Sequence, residues 1–239
     1  MKKEKIVVLT GAGMSAESGI STFRDANGLW ENHDISEVAT IDAWRKNRAL
    51  VLEFYNQRRR QLFDVKPNDG HLGLVELEQK FDVQIITQNV DDLHERAGST
   101  NVLHLHGKLR SAKSANNPKL VYDWNDDINI GDTAEDGAQL RPNIVWFGED
   151  VTEIYRAADY VKTADYIVVI GSSMQVYPAA GLVDYAPRHV PVWYIDPKPA
   201  INHELKSRKN LTIFAENAST GVRKLLDIFL NDETEENDV

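Results

Sequence analysis

The residues best suited to chemistry stand in a few short stretches. IVVLT (6–10) runs into GAGMSAESGI (11–20), where Gly11, Ala12 and Gly13 allow close backbone approach and exposed N–H groups could hold a pyrophosphate. The spacing opens as a dinucleotide fingerprint opens, with Ala16 where the looser form tolerates alanine. A structural tight turn would use the same residues. The acid that binds a ribose should end a second strand, yet Glu31 lies in GLWENHD, which has no strand pattern. Hydride transfer is therefore disfavoured, and dinucleotide binding is not. In LHLHG (103–107), His104 or His106 could move a proton near neutrality, since an imidazole titrates at about 6.5. Strand alternation puts both on one face, so spacing does not choose between them, and a histidine after a strand also serves as a structural group. His71 and His94 read as structural. Tyr55 and Arg58, three apart on a helical pattern, share a face and could grip a carboxylate with a phenol and a guanidinium fork. The competing reading makes Arg58, Arg59 and Arg60 a solvated helix face.

These residues need a scaffold, and the hydrophobic pattern supplies one. Short apolar runs at 6–10, 83–87, 102–105, 166–170, 192–195 and 211–214 alternate with helical stretches. Most are apolar throughout, as strands covered on both faces should be, which predicts an α/β fold with a doubly wound parallel sheet. The last helical stretch carries Val222, Leu225, Leu226 and Phe229 as one apolar stripe that should pack on the sheet. Two segments interrupt the alternation. One, from about Gly28 to Gly70, holds a long helical pattern, IDAWRKNRALVLEFYNQRRRQLF. The other, about 108–141, is polar and rich in Asn, Asp and Gly. Together they predict a second, smaller lobe and a cleft beyond the carboxyl ends of the strands.

Composition removes several classes of function. The 239 residues carry a net charge of −10, which argues against nucleic acid or an anionic membrane as partner. DETEEND (232–238) contributes five of the acids and reads as a solvated, disordered tail. Cysteine is absent, so disulfides, thiol catalysis and thiolate metal sites are excluded. No apolar run is long enough for a membrane span and MKKEKIVVLTGAG lacks a signal-peptide core, so a cytoplasmic protein is expected. A monomer is compatible with the sequence, which does not set the oligomeric state.

Taken together, GAGMSAESGISTFRDANGLW (11–30), TQNVDDLHERAG (87–98) and LHLHG (103–107) resemble the sirtuin family of NAD-dependent protein lysine deacylases, and RPNIVWFGE (141–149), GSS (171–173) and YPAAG (177–181) extend the match over nearly the whole chain. The resemblance implies a Rossmann-like NAD-binding domain from residues 1–28, 71–107 and 142–231. It implies a small lobe from a helical module (29–70) and a zinc-module remnant (108–141). It also implies that Gly11, Ala12, Gly13, Glu17, Phe23 and Arg24 form the loop over NAD, and that Gln88, Asn89 and Asp91 line the nicotinamide and its ribose. Gly171, Ser172, Ser173, Asp196 and Ala218 then take the adenosine side, with Asp196 where asparagine is more frequent. In the family's reaction the acyl-lysine carbonyl attacks the ribose, nicotinamide leaves, and a base activates a ribose hydroxyl. His106 matches that base, and Asn89 would position the ribose or a water, an amide being both donor and acceptor. Val145, Phe147 and Gly148 match the segment on which a substrate peptide adds as a strand. Tyr55 and Arg58 resemble the pair in class III members, which accept succinyl- and malonyl-lysine.

Two departures stand out. Sirtuins usually carry four zinc-binding cysteines between the catalytic histidine and the FGE segment, and this chain has none there, so no thiolate zinc site can form. Packing must replace the metal, with Leu109, Leu120, Val121, Tyr122, Trp124 and Ile128 as candidates. Ser21-Thr22 replaces a frequent Pro-Asp in the cofactor loop. The implied activity is deacylation of acylated protein lysines with NAD, favouring acidic acyl groups. The alternatives are protein ADP-ribosyl transfer, which needs no Tyr55–Arg58 pocket, and a non-catalytic NAD or ADP-ribose sensor, which needs no His106.

Overall fold

The computed structural model describes residues 2–22, 29–30 and 33–231. The acidic tail, and with it Phe23 and Arg24, lies outside the described residues. The strands are β1 (Lys5–Thr10), β2 (Leu29–Trp30), β3 (His33–Asp34), β4 (Asp82–Thr87), β5 (Val102–His104), β6 (Gly107–Ser114), β7 (Val121–Asp123), β8 (Leu140–Ile144), β9 (Tyr166–Ile170), β10 (Val192–Ile195) and β11 (Leu211–Phe214). The helices are α1 (Ile35–Val38), α2 (Ile41–Lys46), α3 (Arg48–Gln61), α4 (Asp69–Leu77), α5 (Leu93–Ala97), α6 (Ile154–Lys162), α7 (His203–Lys206) and α8 (Ala218–Asn231).

All six apolar runs become strands of one parallel sheet, ordered β11-β10-β9-β1-β4-β5. The chain starts in the middle, builds outward on one side, then crosses over and builds on the other. The order reverses between β1 and β9, and open α/β sheets bind ligands at such a switch point. Alternate residues explain the two covered faces. Val7 and Leu9 pack with Ile167 and Val169 under α6, whereas Ile6 and Val8 pack with Val168 and Ile170 under α4 and α8. Val222, Leu225, Leu226 and Phe229 all bury in the second of these clusters, as their stripe predicts.

The excursions differ from expectation in three ways. The long helical pattern breaks at Asn47, whose side chain leaves α2 and accepts from Leu50 N at 3.1 Å to cap α3. Leu29–Trp30 and His33–Asp34 pair as a short antiparallel ribbon where no strand pattern is legible. The polar segment after His106 forms a three-stranded antiparallel sheet, β7-β6-β8, that buries Leu109, Ala112, Leu140 and Ile144 together with the polar Ser111, Ser114 and Arg141.

That sheet and the helical module share one core. Leu109, Ile128, Leu140, Ile144 and Trp146 pack against Trp44, Val51, Phe54 and Tyr55, with Tyr122 and Trp124 at the edge. Leu120 is half-buried and Val121 is 48% exposed, so Val121 is no part of the zinc replacement. Among the described residues, no cluster of His, Cys, Asp or Glu is arranged to hold a metal. The lobe therefore does not fit the family's zinc. A buried polar clamp ties the segment to the helical module: Asn56 Nδ2 donates to Ile128 O at 3.0 Å, Asn56 Oδ1 accepts from Ile128 N at 2.9 Å, and Arg59 donates to the same Oδ1 at 2.8 Å and to Leu109 O.

Two outcomes follow from this arrangement. Asn56→Ala leaves the Ile128 backbone and Arg59 short of partners, which costs about 3 kcal/mol and should lower Tm by roughly 6–12 °C in thermal unfolding. A metal chelator should leave Tm unchanged, and stoichiometric zinc by elemental analysis would contradict the assignment.

Candidate active site

Because the strands are parallel, their carboxyl ends bring Gly11–Gly13, Gln88–Asp91, Gly171–Ser173 and Asp196 to one edge of the sheet. Gly11 follows β1 and Gly171 follows β9, and the two loops interlock: Gly13 N donates to Gly171 O at 2.8 Å. Gly171 has φ +60, and a Cβ there would come within 2.3 Å of Met14 N, so only glycine fits. The glycines thus join the two halves of the sheet at the switch point. Ala12 starts the first of two short 3-10 turns, Ala12–Met14 and Ala16–Ser18. Glu17, in the second, accepts from Ser219 N at 2.9 Å, tying the loop to the start of α8 beside Ala218.

Behind this loop lies a network joining three segments. Ser15 Oγ donates to Asp91 Oδ2 at 2.9 Å, and Asn89 Nδ2 donates to Ser15 Oγ at 3.1 Å. Asp91 Oδ1 also accepts from Leu93 N. Burial raises the Asp91 pKa against the opposing hydrogen bonds from Leu93 and Ser15. Gln88 Nε2 donates to Ser172 Oγ at 3.1 Å, and Ser173 follows in the same loop. Asp196, after β10, is 2% exposed and accepts from Lys198 N. Sequence reasoning missed Ser15, whose only mark is a hydroxyl inside a glycine-rich loop. It also missed Tyr194, which donates to Ser172 O at 2.7 Å and accepts from Ala200 N, thereby fixing the loop that holds Ser172.

The two histidines that spacing could not separate are now distinct. His104, the last residue of β5, has both ring nitrogens engaged, Nδ1 with Asn89 O at 3.0 Å and Nε2 with Glu95 Oε1 at 2.9 Å. His106 lies beyond the strand. Its Nδ1 is 3.1 Å from Gln88 O, and a carbonyl only accepts, so Nδ1 carries the proton and Nε2 keeps a lone pair. Among the described residues Nε2 makes no hydrogen bond. Burial lowers the His106 pKa, with the hydrogen bond to Gln88 O partly opposing, which favours the neutral ring. Gly107 turns the chain into the small lobe with φ +85, where a Cβ would sit 1.9 Å from Asn143 O.

The Arg58–Arg60 run divides three ways. Arg60 is half exposed and pairs with Glu53 and Asp127. Arg59 is fully buried in the clamp, which lowers its pKa to about 10 through desolvation. Arg58 is 9% exposed, lies over the Phe54 ring at 3.8 Å and donates to Phe54 O at 2.7 Å. It lines a cavity with Ile20, Gln61, Leu62, Val90, Asp91 and Leu109, so the helical module and the network around Asp91 share a wall. Tyr55 is fully buried, outside that wall, and its hydroxyl accepts from Trp146 Nε1 at 3.0 Å. Burial raises its pKa, which keeps the phenol protonated.

The segment after β8 bridges the lobes. Val145 N donates to His106 O at 2.9 Å and Phe147 N to Ala39 O at 3.0 Å, so these two donors are already used. Phe147 is 49% exposed and Gly148 has φ +89, leaving an accessible turn beside His106.

Comparison with known proteins places this arrangement. The Sir2 family model matches residues 11–178. An NAD-dependent protein deacylase of Helicobacter pylori (strain J99) is 55% identical over 93% of this chain and 94% of its own length. Another, from Bacteroides thetaiotaomicron, is 51% identical over 95% and 98%. A crystal structure of a Sir2 homolog–NAD complex matches with a TM-score of 0.81 and 36% identity, covering 95% of this chain and 89% of that one. With a family model across most of its length and relatives more than half identical over nearly all of it, this chain belongs to the Sir2 family.

Proposed function

We propose that this Sir2-family protein removes acidic acyl groups, succinyl and malonyl, from protein lysines. It is an NAD-dependent protein deacylase, and acetyl groups are removed alongside the preferred acidic ones. The residues fit NAD: the glycine loop at the switch point, the amides of Gln88 and Asn89, and the buried carboxylates of Asp91 and Asp196 offer donors and acceptors along one strand edge. Bound NAD supplies an activated glycosidic carbon and a ribose hydroxyl that takes the acyl group.

The chain's own residues do the rest. His106 accepts a proton at Nε2, because Nδ1 is committed to Gln88 O and burial favours the neutral ring. Asn89, anchored through Ser15, orients what lies against it. With Val145 N and Phe147 N spent inside the fold, the turn at Val145, Phe147 and Gly148 would take a substrate peptide through its remaining backbone groups, a mode that reads little side-chain sequence.

Arg58 carries the acyl reading. A guanidinium this buried on the wall of a cavity shared with Asp91 suits a carboxylate ligand better than bulk solvent. The test is incubation with NAD and paired succinyl- and acetyl-lysine peptides, followed by mass spectrometry. Succinylated ADP-ribose should form faster than the acetylated product. Nicotinamide release with ADP-ribose on the protein itself would favour ADP-ribosyl transfer instead.

A further inference from the structure

The glycine-rich loop after β1 is tied to α4 through a single side chain. Asn68 caps that helix: its Oδ1 accepts from Gly70 N at 2.9 Å and from His71 N at 3.3 Å, and its own backbone N–H donates to His71 Nδ1 at 3.3 Å. The other end of the same amide faces the loop, where Nδ2 donates to Met14 O at 2.9 Å and to Ser18 Oγ at 3.1 Å. The partners fix which end is which, since backbone N–H groups only donate and a carbonyl only accepts. Asn68 therefore spends its acceptor on the helix and its donors on the loop. Met14 and Ser18 bracket Ser15, which accepts from Asn89 and donates to Asp91, and Glu17, which accepts from Ser219 N at the start of α8. The two helices meet at this end, where a Cβ on Gly70 would lie 3.2 Å from Ala218 C. The loop is thus clasped between two helix starts that are themselves in contact.

We propose that Asn68 is a positioning residue for NAD: its Nδ2 locks the turns Ala12–Met14 and Ala16–Ser18 against α4, so that the loop and the Ser15 hydroxyl are ordered before NAD arrives. This rests on the reading above that the loop holds NAD. Asn68 acts through the loop and takes no part in the chemistry. A loop ordered in advance loses less entropy on binding, so removing the tether weakens NAD affinity and leaves the chemical step largely intact.

Asn68→Ser and Asn68→Asp separate the two ends of the amide. Serine and aspartate cap helices about as well as asparagine, but aspartate has no donor and the shorter serine hydroxyl does not span to Met14 O while it caps. Each variant should raise the KM and the calorimetric dissociation constant for NAD by about 5- to 10-fold, with kcat at saturating NAD changed by less than about twofold. In the free protein, amide hydrogen exchange across residues 11–20 should quicken by about 5- to 10-fold, which reads the tether without any turnover. If neither variant folds, Ser18→Ala, which removes one of the two loop contacts, should move NAD affinity and loop exchange in the same direction. A kcat and Tm that fall while NAD affinity and loop exchange hold would make Asn68 a helix cap alone and overturn the proposal. A weaker NAD complex in Asn68→Asp beside an unchanged one in Asn68→Ser would trace the effect to charge against the NAD phosphates, and overturns it as well. In the parent protein, NAD should slow exchange across 11–20. If it does not, the placement of NAD at the loop falls together with this inference; if it does, and Asn68→Ser, or Ser18→Ala where that variant substitutes, binds NAD as the parent does, this inference alone falls.

Discussion

Replacing His106 by alanine should cut NAD-dependent deacylation by roughly 100- to 10,000-fold, the usual range for loss of a general base, while thermal unfolding stays close to that of the parent. The asymmetry of its two nitrogens is the reason. Nδ1 donates to a backbone carbonyl, which fixes the tautomer, and the side chain makes no other hydrogen bond among the described residues. Removal therefore leaves only one backbone acceptor without its partner. His104→Ala should behave oppositely, since it strips partners from Asn89 O and Glu95 and so destabilises the fold. Acid dependence gives a second check. A base works in its deprotonated form, and burial depresses the His106 pKa, so kcat/KM should stay flat at neutrality and fall only below the ordinary histidine value of about 6.5. Full turnover in the alanine variant, or an acid limb above that value, would remove His106 from the role.

The contrast between these histidines shows where sequence stops being informative. Apolar runs such as IVVLT and YIVVI are long enough and uniform enough to predict a buried parallel sheet, and both lie at its centre. The stripe Val222, Leu225, Leu226 and Phe229 likewise dictates how α8 packs. A histidine's role, however, depends on which oxygens meet its two nitrogens, and those come from residues 88, 89 and 95 in other elements. The small lobe is less legible in the sequence for a related reason. Its strands mix polar residues such as Arg110, Ser111, Arg141 and Asn143 with the apolar ones, and its helical pattern gives no warning that Asn47 leaves the helix to cap the next one. Arg59 in a run of three arginines looks solvated, and only the clamp on Asn56 and Leu109 explains its burial. Likewise, nothing local marks Trp146 as the donor to Tyr55, since the two are 91 residues apart.

Arg58→Met should lower the kcat/KM for succinyl- and malonyl-lysine peptides relative to the acetyl peptide by about 10- to 150-fold, which corresponds to losing a charge-assisted hydrogen bond of about 1.5–3 kcal/mol. Methionine preserves reach and apolar packing against Phe54, so the change isolates the charge and the fork. The parent guanidinium is stacked on that ring and anchored to Phe54 O, which restricts its rotamers before any ligand arrives. An ordered fork loses less entropy on binding than a solvated one, as Arg60 would be at its half-exposed position. An acetyl group presents no carboxylate to the site, so its turnover should respond mainly to changes in cavity shape. Arg58→Lys provides the internal control: it keeps the charge without the planar fork, and should fall between parent and methionine. If Arg58 were instead a purely structural arginine, acetyl and succinyl rates would drop together and Tm would fall with them. Equal losses on both substrates would therefore assign Arg58 to the fold of α3 and leave the acyl preference without its residue.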